Sequence, residues 1–213
     1  MSETLLAVRG LEAFYGDFQA LFGVSMEVAR GEAVAVIGAN GAGKSTLLKS
    51  IAGLLRARTD AITFAGEPIG GMPAYALAAR GIALVPEGRA LFPSLTVEEN
   101  LLIGGQLRRP GAWTLRRVYE LFPALGRALL ANPQLLLCDE ISLGLAPIVV
   151  RDIYARLPAV LAEGTAIVLV EQDVVQALAA AARVYCLQEG RVALSGAAKD
   201  LTREAIAAAY FGV

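Results

Sequence analysis

One uninterrupted stretch, Gly38-Ala39-Asn40-Gly41-Ala42-Gly43-Lys44-Ser45-Thr46, has the residue types and spacing to hold a polyphosphate. It fits the pattern G-x-x-x-x-G-K-[ST] at every required position. Glycines let the backbone turn tightly and aim successive N–H groups at phosphate oxygens. A helix starting behind the loop adds the positive end of its dipole. Lys44 reaches toward β- and γ-phosphates, and the Ser45 hydroxyl is a ligand for Mg²⁺. A second chemical group stands at Leu135-Leu136-Leu137-Cys138-Asp139-Glu140, an apolar run ending in two acids. Acids at the C-terminal end of a buried strand project into the crevice where open α/β sheets bind ligands. Asp139 is placed to hold Mg²⁺, and Glu140 to polarise an attacking water or take its proton.

The flanking segments supply what must position these groups. Ala33 to Ile37 reads as a buried strand and Thr46 to Ala52 as a helix, so the loop has a strand in front and a helix behind. The first thirty residues are β-rich, with strands over Leu5–Leu11 and Ala20–Val28. Further strands are predicted at Ala61–Phe64 and Ile82–Val85, the latter ending at Pro86-Glu87-Gly88. From Phe92 to Pro133 the pattern turns helical, with a capping-box pattern at Thr96-Val97-Glu98-Glu99. After Asp139 come helix 148–162, strand Ala166–Val170, helix 173–182 and strand Val184–Leu187. Alternation of this kind predicts a parallel sheet with helices on both faces.

Composition limits the alternatives. The 213 residues suit one sizeable domain, and a net charge of −1 leaves no basic excess to recruit nucleic acid. Hydrophobic residues reach 56% against 18% charged, as expected of a sheet covered on both faces and of surfaces hidden by protein partners. No run approaches the ~20 apolar residues of a membrane span. Met1-Ser2-Glu3-Thr4 lacks the basic start of a secretion signal. Cys138 and Cys186 fall in strand-like runs and are expected to be buried and reduced. With no histidine in the chain, acid/base work and metal ligation by imidazole are excluded.

Taken together, these segments resemble the ATP-binding subunits of ABC transporters, nearest the LivF-type second ATPase of bacterial branched-chain amino acid importers. The likeness is carried by Ala35 to Thr46, Val85-Pro86-Glu87-Gly88-Arg89, Leu95 to Leu101, Tyr119-Glu120-Leu121-Phe122-Pro123, Ser142-Leu143-Gly144-Leu145-Ala146-Pro147 and Leu169-Val170-Glu171-Gln172. The resemblance implies a single P-loop NTPase cassette over residues 1–213: a mostly parallel α/β sheet, an N-terminal antiparallel β part and a helical subdomain at about 88–130. It implies ATP and Mg²⁺ as cofactors. Tyr15 would stack on adenine, a contact worth ~1 kcal/mol that tolerates different bases. Gly38, Asn40, Gly41, Ala42, Gly43, Lys44, Ser45 and Thr46 would cradle the phosphates. Ser45, Asp139 and Glu87 would serve the metal. Glu140, Lys44 and Gln172 would be catalytic, with Gln172 where most relatives place a histidine; an amide there donates a hydrogen bond without adding charge. The implied partners are a second ATPase subunit, two transmembrane permease subunits and a periplasmic or extracellular substrate-binding protein. The implied place is the cytoplasmic face of the cell membrane.

One element of the family pattern is missing. A Ser-Gly-Gly signature and its long helix should precede the Leu135 strand, yet Pro123-Ala124-Leu125 runs straight into Gly126-Arg127-Ala128-Leu129-Leu130. Roughly twenty residues are absent relative to the family pattern, so the helical subdomain is expected to be shortened. Ile141 also replaces the usual proline, which predicts a freer loop after Glu140. Three functions compete: an importer ATPase paired with an intact second cassette, a degenerate cassette that binds ATP with little or no hydrolysis, and a small-molecule kinase. The kinase needs an arginine-rich lid and an acceptor site, and neither stands out. The transported substrate, whether branched-chain amino acid, urea or amide, would touch other subunits and is not written in this chain.

Overall fold

The computed structural model describes residues 3–88, 91–119 and 123–211. Arg89 and Glu120-Leu121-Phe122, which carry part of the family likeness, lie outside the described residues.

Strands β1 (Thr4–Tyr15) and β2 (Phe18–Ala29) form a long antiparallel hairpin, extended by β4 (Ile62–Phe64) and β5 (Glu67–Pro68) in the order β2-β1-β4-β5. The second sheet has the order β10-β9-β3-β8-β7-β6. Within it β3 (Ala33–Ile37), β6 (Ile82–Val85), β7 (Leu135–Asp139), β8 (Ala166–Glu171) and β9 (Arg183–Gln188) run parallel. The departure from an all-parallel sheet is β10 (Arg191–Ala197), antiparallel to β9. Its cause is local: Glu189 and Gly190 both take positive φ, 46° and 73°, and a link of two such residues joins only antiparallel neighbours.

Helix α1 (Lys44–Ile51) lies between the two sheets. Leu47, Leu48 and Ile51 are fully buried there, in one apolar cluster with Leu6, Leu11 and Val28 of the first sheet and Val34, Val36, Val168 and Val170 of the second. α2 (Ala74–Arg80), which sequence periodicity did not reveal, buries only Leu77. The opposite face of the parallel sheet is covered by α3 (Val97–Gly104), α4 (Leu115–Tyr119), α5 (Pro123–Leu129) and α6 (Pro147–Ala162). α7 (Val174–Ala180) and α8 (Arg203–Phe211) cover the β3 and β9 side. Cys138 and Cys186 are buried free thiols in this core, as their strand positions predict.

The helical region is held by side-chain caps. The expected capping box is present: Glu99 N–H donates to Thr96 Oγ1 at 3.2 Å and Thr96 N–H to Glu99 Oε2 at 2.7 Å. Asn100, buried, accepts from Phe92 N–H and donates to the carbonyls of Phe92, Leu95 and Thr96. Asn132 likewise bonds the backbone of Arg109 and Trp113. At the junction the sequence singles out, a Cβ on Gly126 would lie 2.6 Å from Val118 Cγ1 and 2.9 Å from Leu101 Cδ2, so α5 seats tightly on α3 and α4.

Candidate nucleotide site

Parallel register sets three loops at one level. Ile37 pairs with Glu171, and Asp139 with Val170, so the ends of β3, β8 and β7 lie side by side. The loop Gly38–Gly43 leaves the first, Glu140 follows the last, and Gln172 follows the strand between them. Two glycines in the loop are required by space as well as by φ. A Cβ on Gly38 would meet Leu187 O at 2.3 Å, and one on Gly43, at φ 101°, would meet Leu21 Cδ2 at 2.7 Å.

Lys44 is only 4% exposed, yet it is fully engaged. Its Nζ donates to Gly38 O at 2.9 Å and Ala39 O at 3.1 Å, and lies 3.4 Å from Glu140 Oε1. Glu140 has φ 47°, a left-handed conformation that costs a non-glycine residue about 1 kcal/mol and concentrates at functional sites. Its N–H is held by Val170 O at 2.9 Å, and its other carboxylate oxygen accepts from Gln172 Nε2 at 2.7 Å. Gln172 thus meets Glu140 directly. Ile141, at the position of the usual proline, is buried in the core cluster against which Leu145 and Val149 also pack.

Asp139 is buried and accepts from Ser45 Oγ at 3.0 Å. Burial pushes its carboxyl above the usual range; the Ser45 hydrogen bond opposes this, and the neighbouring Glu140 and Glu87 carboxylates add to it. A hydroxyl and a carboxylate in contact form a hard, all-oxygen donor pair that fits Mg²⁺, which takes one or two protein oxygens and the rest from phosphate and water. No cluster of three or more His, Cys, Asp or Glu residues able to hold a metal occurs among the described residues. Glu87, exposed, lines the same cleft.

The cleft measures about 1040 Å³ and brings together Tyr15, Asn40, Gly41, Gly43, Lys44, Ser45, Thr46, Glu87, Glu140 and Gln172. Tyr15 is 46% exposed, its hydroxyl 3.5 Å from Thr46 Oγ1, so it stands over the cleft instead of packing into the core. Ala42 is buried behind the loop, where its C=O accepts from Gly190 N–H at 3.0 Å. The sequence did not single out Phe22 and Arg191, which also line the cleft with the guanidinium 4.9 Å from the ring centre. Glu171 was missed as well. It is 1% exposed and accepts from Ser142 Oγ at 2.8 Å and Tyr154 O–H at 2.5 Å, tying the loop after β7 and helix α6 to β8. Burial pushes its carboxyl upward against those two hydrogen bonds. The available signal was its place at the end of a strand with no exposed face.

This arrangement, a P-loop between a central parallel strand and its helix with acids on the next strands, defines a P-loop nucleotide-binding cassette. The sequence pattern of the family described as "ABC transporter" matches residues 21–126. The chain is 41% identical to the "High-affinity branched-chain amino acid transport ATP-binding protein BraG" of Pseudomonas aeruginosa over 233 residues, covering 98% of this chain and 100% of that protein. It is 33% identical to the "Probable branched-chain amino acid transport ATP-binding protein LivF" of Archaeoglobus fulgidus, covering 90% and 91%. At 31% identity it also matches the "Nod factor export ATP-binding protein I" of Rhizobium sp. strain N33, covering 97% and 75%. Its fold superposes on the ADP conformation of the ABC cassette MJ1267 with a TM-score of 0.83, at 24% identity and complete coverage of both chains. The chain therefore belongs to the ATP-binding proteins of ABC transporters. The BraG alignment of 233 residues is longer than the 213 of this chain, so BraG carries positions without a counterpart here.

Proposed function

We propose that the chain is the ATP-hydrolysing subunit of an importer for branched-chain amino acids, working at the cytoplasmic face of the cell membrane. Its partners are a second, intact cassette, two permease subunits and a substrate-binding protein outside the membrane. The observation that carries this reading is the convergence of Lys44, Ser45, Glu140 and Gln172 on one cleft, with Asp139 bonded to Ser45, in a chain 41% identical to BraG over 98% of its length. Ser45 and Asp139, with Glu87 nearby, would hold a Mg²⁺ ion, which would supply positive charge against the phosphates. Lys44 is positioned to leave the Gly38 and Ala39 carbonyls for phosphate oxygens. That exchange releases Glu140, which then orients water, with Gln172 holding the carboxylate in place. Tyr15 offers its face to the base.

A second reading is a degenerate cassette that binds ATP with little or no turnover. It is favoured by the surplus positions in the BraG alignment and by the end of the family match at residue 126, next to the Leu125–Gly126 junction. Residues 1–213 would then be one domain whose helical subdomain, at about 88–130, is shortened. The relative named for Nod factor export leaves the direction of transport to be measured. Vesicles containing this chain with the permeases and second cassette of a branched-chain amino acid importer test both. ATP-driven uptake of labelled leucine supports the first reading; ATP binding without uptake supports the second.

A further inference from the structure

One wall of the nucleotide cleft is the tip of the β1–β2 hairpin, which contributes Tyr15, Phe18, Gln19 and Ala20. Tyr15 and Phe18 pair directly across the turn Gly16-Asp17. Residues opposite one another in an antiparallel pair stand on the same face, with Cβ atoms about 4.5–5.5 Å apart. Two aromatic rings therefore stand side by side at the cleft. Neither is spent on the core, since Tyr15 is 46% exposed and Phe18 71%. Tyr15 keeps its hydroxyl 3.5 Å from Thr46 Oγ1, whereas Phe18 has no polar tip to leave in water. Covering so exposed a ring with another apolar face is favourable.

The hairpin is fixed relative to the phosphate loop. Phe14 pairs with Gln19 but Ala13 with Leu21, so Ala20 is an extra residue, a bulge just behind Phe18. A bulge bends its strand and re-aims side chains, and bulges gather beside active sites. This one is packed in place. A Cβ on Gly43 would lie 3.3 Å from Ala20 O, and one on Gly190 only 2.3 Å from it. Gly190 N–H donates to Ala42 O at 3.0 Å, and Phe22 N–H to Gly190 O at 2.9 Å. The two rings thus keep a constant station relative to Lys44 and Ser45. We propose that Phe18 selects purine nucleotides, Tyr15 stacking on one ring of the base and Phe18 on the other. A pyrimidine has a single ring, which Tyr15 covers alone, so Phe18 adds nothing to it. Stacking reads a π face, so ATP and GTP gain alike. The proposal rests on the reading that phosphates lie at Lys44 and the base at Tyr15, and it names the class of base.

The test is calorimetry on the full chain with the Mg²⁺ complexes of ATP, GTP, UTP and tripolyphosphate. Phe18→Ala should weaken ATP and GTP about fivefold and leave UTP and tripolyphosphate within about twofold. Phe18→Trp, which keeps an aromatic face, should hold the purine preference. Tyr15→Ala should weaken all three nucleotides and spare tripolyphosphate. Unchanged tripolyphosphate binding also shows that each variant is folded around its phosphate loop. Undiminished ATP affinity in Phe18→Ala, or an equal loss for UTP, would overturn the proposal. If tripolyphosphate and ATP still bind while Phe18→Ala is silent, only the purine claim falls. If neither binds the unaltered chain, the nucleotide reading falls and the purine claim with it.

Discussion

The nucleotide cleft and the helical region are built in opposite ways. The cleft stands on the ends of β3, β8 and β7, five- and six-residue strands in unbroken parallel register with no exposed residue between them. Side chains at these strand ends are tied to one another: Ser45 to Asp139, Gln172 to Glu140, Ser142 to Glu171. The helical region is assembled from short pieces, α3, α4 and α5, fixed largely by amide side chains bonding nearby backbone. Register locks the cleft collectively, whereas each cap in the helical region acts alone. The parts of the cleft are therefore placed by the sheet and not by the helical region.

The first way to sharpen this contrast is Glu140→Gln, assembled with an intact second cassette. Loss of the group proposed to act on water should slow single-turnover hydrolysis by ~10²–10⁴. ATP affinity should stay level or rise, because Lys44 loses the carboxylate 3.4 Å away that competes with phosphate. An unchanged rate constant removes Glu140 from the chemistry. Lys44→Ala comes next. Contacts from a charged donor are worth ~1.5–3 kcal/mol, so calorimetry should show at least about tenfold weaker Mg-ATP binding. Equal affinity would contradict the phosphate-loop assignment.

Tyr15→Ala should have a smaller effect, ~1 kcal/mol, and should weaken ATP and GTP equally, because stacking reads a π face and no edge pattern. Selective loss of one nucleotide would give Tyr15 another role. The smallest effect lies away from the cleft, at the Glu32–Arg183 pair. Arg183 Nε and Nη2 donate to the two Glu32 oxygens at 2.6 and 2.7 Å. Burial pulls the Glu32 carboxyl up, but the Arg183 hydrogen bonds and the Ala29 N–H outweigh it and hold its pKa below the ordinary value of 4.5. A carboxyl held low when folded adds stability above its unfolded pKa and loses it as pH falls through the folded one. Glu32→Gln should therefore lower Tm at pH 7 by about 2 °C, the group being partly solvated, and the gap should close below pH 4.5. A gap independent of pH would mean that packing, not charge, is what the substitution removes.

The sequence made the cleft legible because its parts are local. Gly38 to Thr46 is contiguous, and Asp139-Glu140 announces itself by ending an apolar strand. Strands β3, β7 and β8 were found almost to the residue, since runs buried on both faces have no other economical reading. What stayed hidden depends on residues far apart in the chain. Glu171 gains its role only when β8 lies beside Ser142 and Tyr154, and Arg191 reaches the cleft only because the Glu189-Gly190 turn folds β10 back beside β2. α2 and α8 escaped notice because alanine-rich stretches lack the sharp apolar periodicity that marks an amphipathic helix.

The most direct test is the ATPase rate of the purified chain alone as a function of concentration, beside its Mg-ATP affinity. The chain offers Lys44 and Glu140 in the cleft, with Asp139 bonded to Ser45, but phosphoryl transfer also needs donors around the γ-phosphate, and losing even one commonly costs ~10²–10³ in rate. The chain should therefore bind Mg-ATP and show almost no hydrolysis at any concentration. A family signature and helix grafted between Leu125 and Gly126 should restore activity and raise thermal stability. Robust hydrolysis by the ungrafted chain, rising with concentration, would contradict the account and show that another segment closes the site.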